Sequence, residues 1–325
     1  MTGAATDPRR AAAEDLGRRL AAELADPTAV AEVAERGLRE LATEHDRGGL
    51  YRVAPGIDPI VGVSFFLVER AGRAFARAAR DDSPINVLVA CDRLFRLPML
   101  EARWLAFHAL ERLVLVEPEQ AWQMLRRASK EAADWITVDA LAHPVGRGIL
   151  VESFRWAELG ALVFSPSAWE RRLVGSTIAT IPFVDRATGR APEVARQALP
   201  LIGSLIGDDS AIVGKSLAWA LRSLMLVDPG AIVAFVIAEA ERTAASDDGH
   251  RAWVLRDTLA KLPPPTAEAI RTRLEGIRRR PGAPSTSDAA AIAGAFVSAG
   301  GVPPLGGEAA ERIPIGGAEL RRSVA

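Results

Sequence analysis

The sequence predicts an all-α fold, specifically an α-solenoid of helical pairs with a concave groove. Three observations lead there. Ala and Leu, both strong helix formers, are prominent in an apolar content of 49%. Apolar residues recur at three- and four-residue intervals, the period of a helix, while the two-residue alternation of strands is scarce. Breaks rich in Pro, Gly, Asp and Ser return roughly every 32–43 residues, a period that suits HEAT- or armadillo-like helical pairs. One such pair cannot bury its apolar face alone, so neighbours are expected to stack and curve.

The elements follow in order. The first residues are polar and expected to fray. Amphipathic helices are predicted near 8–25 and 28–45, separated by Asp26-Pro27. Arg47 to Gly56 then reads as a break, because Gly and Pro interrupt the pattern. A helix over 64–80 carries Arg70, Arg73, Arg77 and Arg80, read as a solvated face in preference to a DNA-backbone face. These N-terminal helices make up residues 1–83.

A repeat core is predicted over 84–280. Its helical pairs fall near 99–116 with 118–130, 134–147 with 149–163, and 166–182 with 191–206. Two more follow, 209–226 with 229–245 and 249–262 with 265–279. Pro118, Pro166, Pro192 and Pro229 stand at or near helix starts, where a missing N–H costs nothing. Asp208-Asp209-Ser210 and Ser246-Asp247-Asp248 supply capping oxygens. Residues 281–325 are rich in Gly, Pro and Ser and are expected to form a flexible tail, with a short helix near Ala289 to Ser298.

Composition narrows the function classes. The net charge is −1, so any nucleic-acid contact must come from a local basic surface. Cys91 is the only cysteine, which excludes an internal disulfide and a multi-thiolate metal site and fits a reducing cytoplasm. The start lacks the apolar core of a secretory signal, and no run of about 18 apolar residues predicts a membrane span. A soluble, cytoplasmic monomer without membrane contact is expected. His45, His108, His143 and His250 are scattered; Asp139 and His143 share a helix face but lack a third ligand, so no metal is expected. Nothing in the sequence calls for a cofactor.

The chemistry-bearing residues form three groups, each a tryptophan beside charges at helical spacing: Asp134 to Asp139 (D-W-I-T-V-D), Trp169 to Arg172 (W-E-R-R) and Lys215 to Arg222 (K-S-L-A-W-A-L-R). Residues four apart share a helix face, so Trp135 points with Asp139 and Lys215 with Trp219. Three such groups on successive units would line one groove. Trp104, Trp122, Trp156 and Trp253 are read as packing anchors.

At these residues the sequence resembles the DNA alkylation repair family, the AlkD-like glycosylases built from HEAT-like repeats. The matching stretches are Asp134 to Ala142, Ser167 to Leu173 and Val213 to Arg222, continued by Asp228-Pro229 and Val233 to Phe235. Ile60 to Val63 (I-V-G-V) weakly matches an N-terminal piece. The resemblance implies a lesion pocket walled by Trp135 and Trp219, with Asp139 as its catalytic carboxylate. It implies that Arg172 contacts the DNA backbone, and Lys215 and Arg222 are candidates for the same role. An N-terminal aromatic belongs to the family pattern; Tyr51 is the only tyrosine available for it. The implied activity is excision of cationic N3- or N7-alkylated purines from double-stranded DNA, without flipping the base. Two alternatives remain: a non-catalytic DNA-binding relative, and a HEAT-repeat scaffold for protein interaction.

Overall fold

A computed structural model describes residues 8–53, 57 and 59–298. Sixteen α-helices and no strand are present among the described residues: α1 (Pro8–Ala22), α2 (Pro27–Leu41), α3 (Glu44–Val53), α4 (Phe65–Ala78), α5 (Pro84–Phe95), α6 (Leu100–Leu113), α7 (Pro118–Glu131), α8 (Trp135–Val151), α9 (Arg155–Ala161), α10 (Ala168–Val184), α11 (Pro192–Leu205), α12 (Ala211–Leu224), α13 (Pro229–Ser246), α14 (Gly249–Thr258), α15 (Pro264–Arg273) and α16 (Asp288–Ser298). The chain is all-α. No helix is long and apolar enough to cross a membrane among the described residues.

The helices pack in two rows. In the first, α1, α4, α6, α8, α10, α12 and α14 each pack against the next. In the second, α2 packs on α5 and α5 on α7, then α11 on α13 and α13 on α15, with α9 and the 3-10 turn Leu162–Phe164 between the two stretches. Cross-row contacts join α1 to α2, α5 to α6, α7 to α8, α10 to α11 and α12 to α13. Glycines let the first row close up. A Cβ on Gly17 of α1 would lie 2.3 Å from the Ala71 carbonyl oxygen of α4, and one on Gly175 of α10 would lie 2.3 Å from Ser216 Oγ of α12.

Several boundaries differ from the sequence expectation, for identifiable reasons. The break expected at 47–56 is a helix up to Val53; residues 54–56 lie outside the described ones, as do the first seven. Thr43 Oγ1 accepts from Asp46 N at 3.1 Å, and Arg47 donates twice to the Val61 carbonyl. This docking offsets the cost of Gly48 and Gly49, about 1 kcal/mol each in a helix. Residues 84–95, given no helix from sequence, form α5 behind Pro84. The break expected near 147–149 is absent: α8 runs through Pro144 to Val151. Gly148 is a contact point, since a Cβ there would meet the Trp122 ring at 2.9 Å.

The segment expected to be a flexible tail begins ordered. Thr286 N donates to the Gly207 carbonyl at 2.9 Å, Thr286 Oγ1 donates to Asp248 at 2.6 Å, and His250 Nε2 bonds the Ala283 carbonyl at 3.1 Å. The short helix expected there is α16, which packs against α11 and the Leu162–Phe164 turn. Residues 299–325 lie outside the described ones.

The four tryptophans read as anchors mostly behave so. Trp104 and Trp122 are among the largest fully buried or nearly buried side chains, and Trp156 is buried. Trp122 Nε1 donates to Glu158 at 2.6 Å while the buried Arg155 lies over its ring at 4.6 Å. Trp253 is half-buried, with Arg279 over it. Of the four α4 region arginines, Arg70 pairs with Glu14, Arg73 with Glu69 and Arg80 with Asp81, whereas Arg77 has no ion pair among the described residues. Cys91 is buried, and burial raises its thiol pKa, so it is a core residue.

Candidate active site

Asp134 and Asp139, close in sequence, do different things. Asp134 caps α8: its carboxylate accepts from Thr137 N and from Thr137 Oγ1, both at 2.6 Å. That cap starts the helix at Trp135. Trp135, Asp139 and His143 then follow at one-turn intervals and all reach a single cavity.

The cavity has a volume of about 580 Å³. Its floor is α8, with Trp219 of α12 on one side and Phe65 and Trp104 of α4 and α6 on the other. Phe65 meets Trp104 edge-on, ring centroids 5.4 Å apart. Helix α3 adds His45, Asp46, Leu50 and Arg52 to the lining. Two of the three expected tryptophan groups therefore share one cavity. Trp169 of the third instead packs partly buried against the core.

Asp139 is held from α10. Arg172 Nε donates to Oδ1 at 3.1 Å and Nη2 to Oδ2 at 2.7 Å, a bidentate fork. Ser176, one turn along α10, donates to Oδ1 at 2.6 Å. Arg172 Nη1 also reaches the Ile212 carbonyl at 2.8 Å, so one guanidinium links α8, α10 and α12. The Asp139 side chain keeps 20% of its surface exposed, against 7% for Arg172.

This placement differs from the open position that a DNA-backbone contact would suggest for Arg172. It is buried with three of its donors engaged, whereas a phosphate contact needs an open fork. The side chain's length lets it reach from α10 to a carboxylate on α8, 33 positions earlier in the chain. Arg222 is likewise engaged, donating to the carbonyl of Asp257 at 2.7 Å and pairing with its carboxylate at 2.8 Å, which ties α12 to α14. Lys215 is exposed and has no ion pair among the described residues. Tyr51 does not line the cavity, though Leu50 and Arg52 beside it do. The N-terminal aromatic at the cavity is Phe65.

Phe65 is placed by a contact that the sequence does not announce. Glu101 of α6 is fully buried and accepts from three backbone amides: Val61 N at 3.1 Å, Gly62 N at 2.8 Å and Val63 N at 3.2 Å. Gly62 has φ 105°, a conformation that favours glycine. The I-V-G-V stretch is thus a turn wrapped on a carboxylate, delivering Ser64 and Phe65 to the cavity rim. Glu101→Ala leaves three amides short of their acceptor and is expected to cost about 2–4 kcal/mol, since hydrogen bonds to charged groups contribute about 1.5–3 kcal/mol and unpaired buried donors add to the loss. Urea unfolding measures this; a change below about 1 kcal/mol contradicts the role assigned to Glu101.

The electrostatics around the cavity are mixed. Burial works against the charge on Asp46, yet Arg9 at 2.5 Å and Thr43 hold its carboxyl below the usual range. Burial pushes His108 down to about 4, with Arg73 and His143 adding to the effect. Among the described residues no three His, Cys, Asp or Glu side chains are grouped to hold a metal. Two half-buried indoles beside a fixed carboxylate favour a cation, since each indole face attracts one by about 0.5–2 kcal/mol.

A sequence profile for a family described as DNA alkylation repair enzyme matches residues 34–262. The chain belongs to the DNA alkylation repair enzyme family. The match covers α3 to α14 in full and so includes every wall of the cavity; α1, α15 and α16 lie outside it. Searches among curated proteins and among solved structures return no significant match. Ser176, Phe65 and Glu101 were not found by sequence reasoning. Ser176 had a faint signal, standing one turn beyond Arg172 on the same helix.

Proposed function

We propose that this family member is a DNA glycosylase that excises cationic N3- or N7-alkylated purines from double-stranded DNA. The observation that carries the reading is the convergence of Trp135, Trp219 and Asp139 on one cavity, with Asp139 fixed by Arg172 and Ser176. An alkylated purine bears a full positive charge and leaves as a neutral base, so its glycosidic bond is already weakened. The deoxyribose becomes oxocarbenium-like as that bond breaks. A carboxylate near C1′ stabilises the developing charge, and a preoriented one does so without reorganisation at the moment of reaction. The indole faces favour both the cationic lesion and the cationic sugar.

The serial packing of the first helix row supports a solenoid with this cavity on its concave side. On such a surface the base need not be extruded, unlike in most glycosylases. Arg172 then acts by holding Asp139, and Lys215 is the expected cation left open to a phosphate.

Base release from duplexes carrying a single N7-methylguanine or a single uncharged lesion tests the reading. Release of N7-methylguanine at a rate well above that of the uncharged base is expected. Equal release of both would defeat the cation-selective mechanism. Duplex binding without any release is the result expected of a non-catalytic relative, and absence of binding that of a protein-interaction scaffold.

A further inference from the structure

We propose that His143 is the general base that takes the proton from the attacking water, while Asp139 serves only as the fixed electrostatic partner. The inference rests on the glycosylase reading and divides its chemistry between two residues. It begins with what Asp139 lacks. Its Oδ1 already accepts from Arg172 Nε and Ser176 Oγ, and its Oδ2 from Arg172 Nη2. A carboxylate paired to a guanidinium through both oxygens is fixed in one orientation, which suits it to stabilise a neighbouring cation. With three donors already on the two Asp139 oxygens, the geometry favours an unengaged neighbour as acceptor of the proton that water loses.

His143 is the group placed to take it. It follows Asp139 by one turn of α8 and lines the same cavity. It has accessible surface, and neither ring nitrogen has a hydrogen-bond partner among the described residues. Both ring nitrogens are therefore free to meet water at the cavity, unlike those of the buried His250, whose Nε2 bonds the Ala283 carbonyl. The charged and titratable groups facing His143 are Glu69 and Arg73 on α4, His108 and Glu111 on α6, and Asp139 on α8 itself. The ring is exposed to water where it lines the cavity, while neighbouring groups packed around it count against its charge. That desolvation lowers its pKa below the usual 6.5, against the pull of Glu111, Glu69 and Asp139. The ring is therefore neutral near pH 7 and competent to accept a proton.

The step balances. The C1′–N9 bond breaks and its electron pair returns to the purinium ring, which leaves as a neutral alkylpurine. The water oxygen bonds to C1′, and its proton passes to a His143 ring nitrogen. The products are the free base, an abasic site and an imidazolium that releases its proton to solvent. No oxidant, reductant or cofactor enters.

The test is single-turnover release of N7-methylguanine from duplex DNA across pH 5–8 by wild type, His143→Ala and His143→Gln, with circular dichroism at each pH to confirm folding. Wild type is expected to lose rate as pH falls, with a midpoint below 6.5. His143→Ala should be slower by about 10²-fold, the usual contribution of a positioned base, and should lack that acidic limb. Added imidazole should restore part of the rate to His143→Ala but not alter wild type, an effect that a merely structural histidine would not give. Variants with the wild-type rate, or slow variants that keep the acidic limb, overturn the assignment while leaving the glycosylase reading intact. Wild-type protein that releases no base at any pH defeats both.

Discussion

Asp139→Asn is expected to lower single-turnover base release by about 10²–10³-fold, the loss seen when one preorganised electrostatic group is removed from a transition state. The reason is charge. Asparagine fits the space and can still accept from Ser176 and from one arm of Arg172, but it presents a neutral dipole to an oxocarbenium-like sugar. Its amide nitrogen would also face an arm of Arg172, donor against donor, where Oδ2 now accepts at 2.7 Å. Some stability is lost with that contact, so the rates must be compared well below the unfolding temperature of the variant. Binding to alkylated duplex should change far less than the rate, because the interaction strengthens only as positive charge develops. Asparagine and aspartate enzymes releasing base equally fast would show that Asp139 does not carry the chemistry.

Arg172→Met is expected to destabilise the fold by about 3 kcal/mol, in the range found when one partner of a buried pair is removed. The fork to Asp139 is lost, a partly buried carboxylate keeps only Ser176, and the Ile212 carbonyl loses a donor. Base release should fall with it, because nothing then fixes the carboxylate. Arg172→Lys should recover only part of either effect, since an ammonium makes point contacts in place of a planar fork. A phosphate-binding arginine behaves differently. Its loss leaves urea unfolding almost unchanged, weakens DNA binding uniformly and reduces the salt slope by about one. Measuring both properties on the same variant separates the two roles. An unchanged unfolding midpoint with a reduced salt slope would return Arg172 to the DNA backbone.

These two residues show how far the sequence reached. Helical period alone placed Trp135 and Asp139 on one face, and the structure keeps them there. Pro118, Pro192 and Pro229 marked helix starts correctly because proline acts within its own turn, independently of distant contacts. Gly148 and the Gly48-Gly49 pair misled for the complementary reason. Each was read for its local cost to a helix, and each is retained because something distant packs there: the Trp122 ring on Gly148, and Val61 held by Arg47 on the helix containing Gly48.

The partners of Asp139 lie 33 and 37 positions away, and the amides held by Glu101 lie 38 to 40 positions away. Contacts of that length leave no periodic trace, and a buried Arg or Glu has the same letter as an exposed one. The sequence by itself determined an all-helical chain, the spacing of its breaks, and a tryptophan and a carboxylate on one face. Only the tertiary structure decided that Arg172 turns inward to the carboxylate, and that α3, Phe65 and His143 line the cavity with it. The division follows from range: backbone propensity and helix period act over four residues, whereas the site is assembled by packing between helices that are neighbours in space but a full repeat apart along the chain.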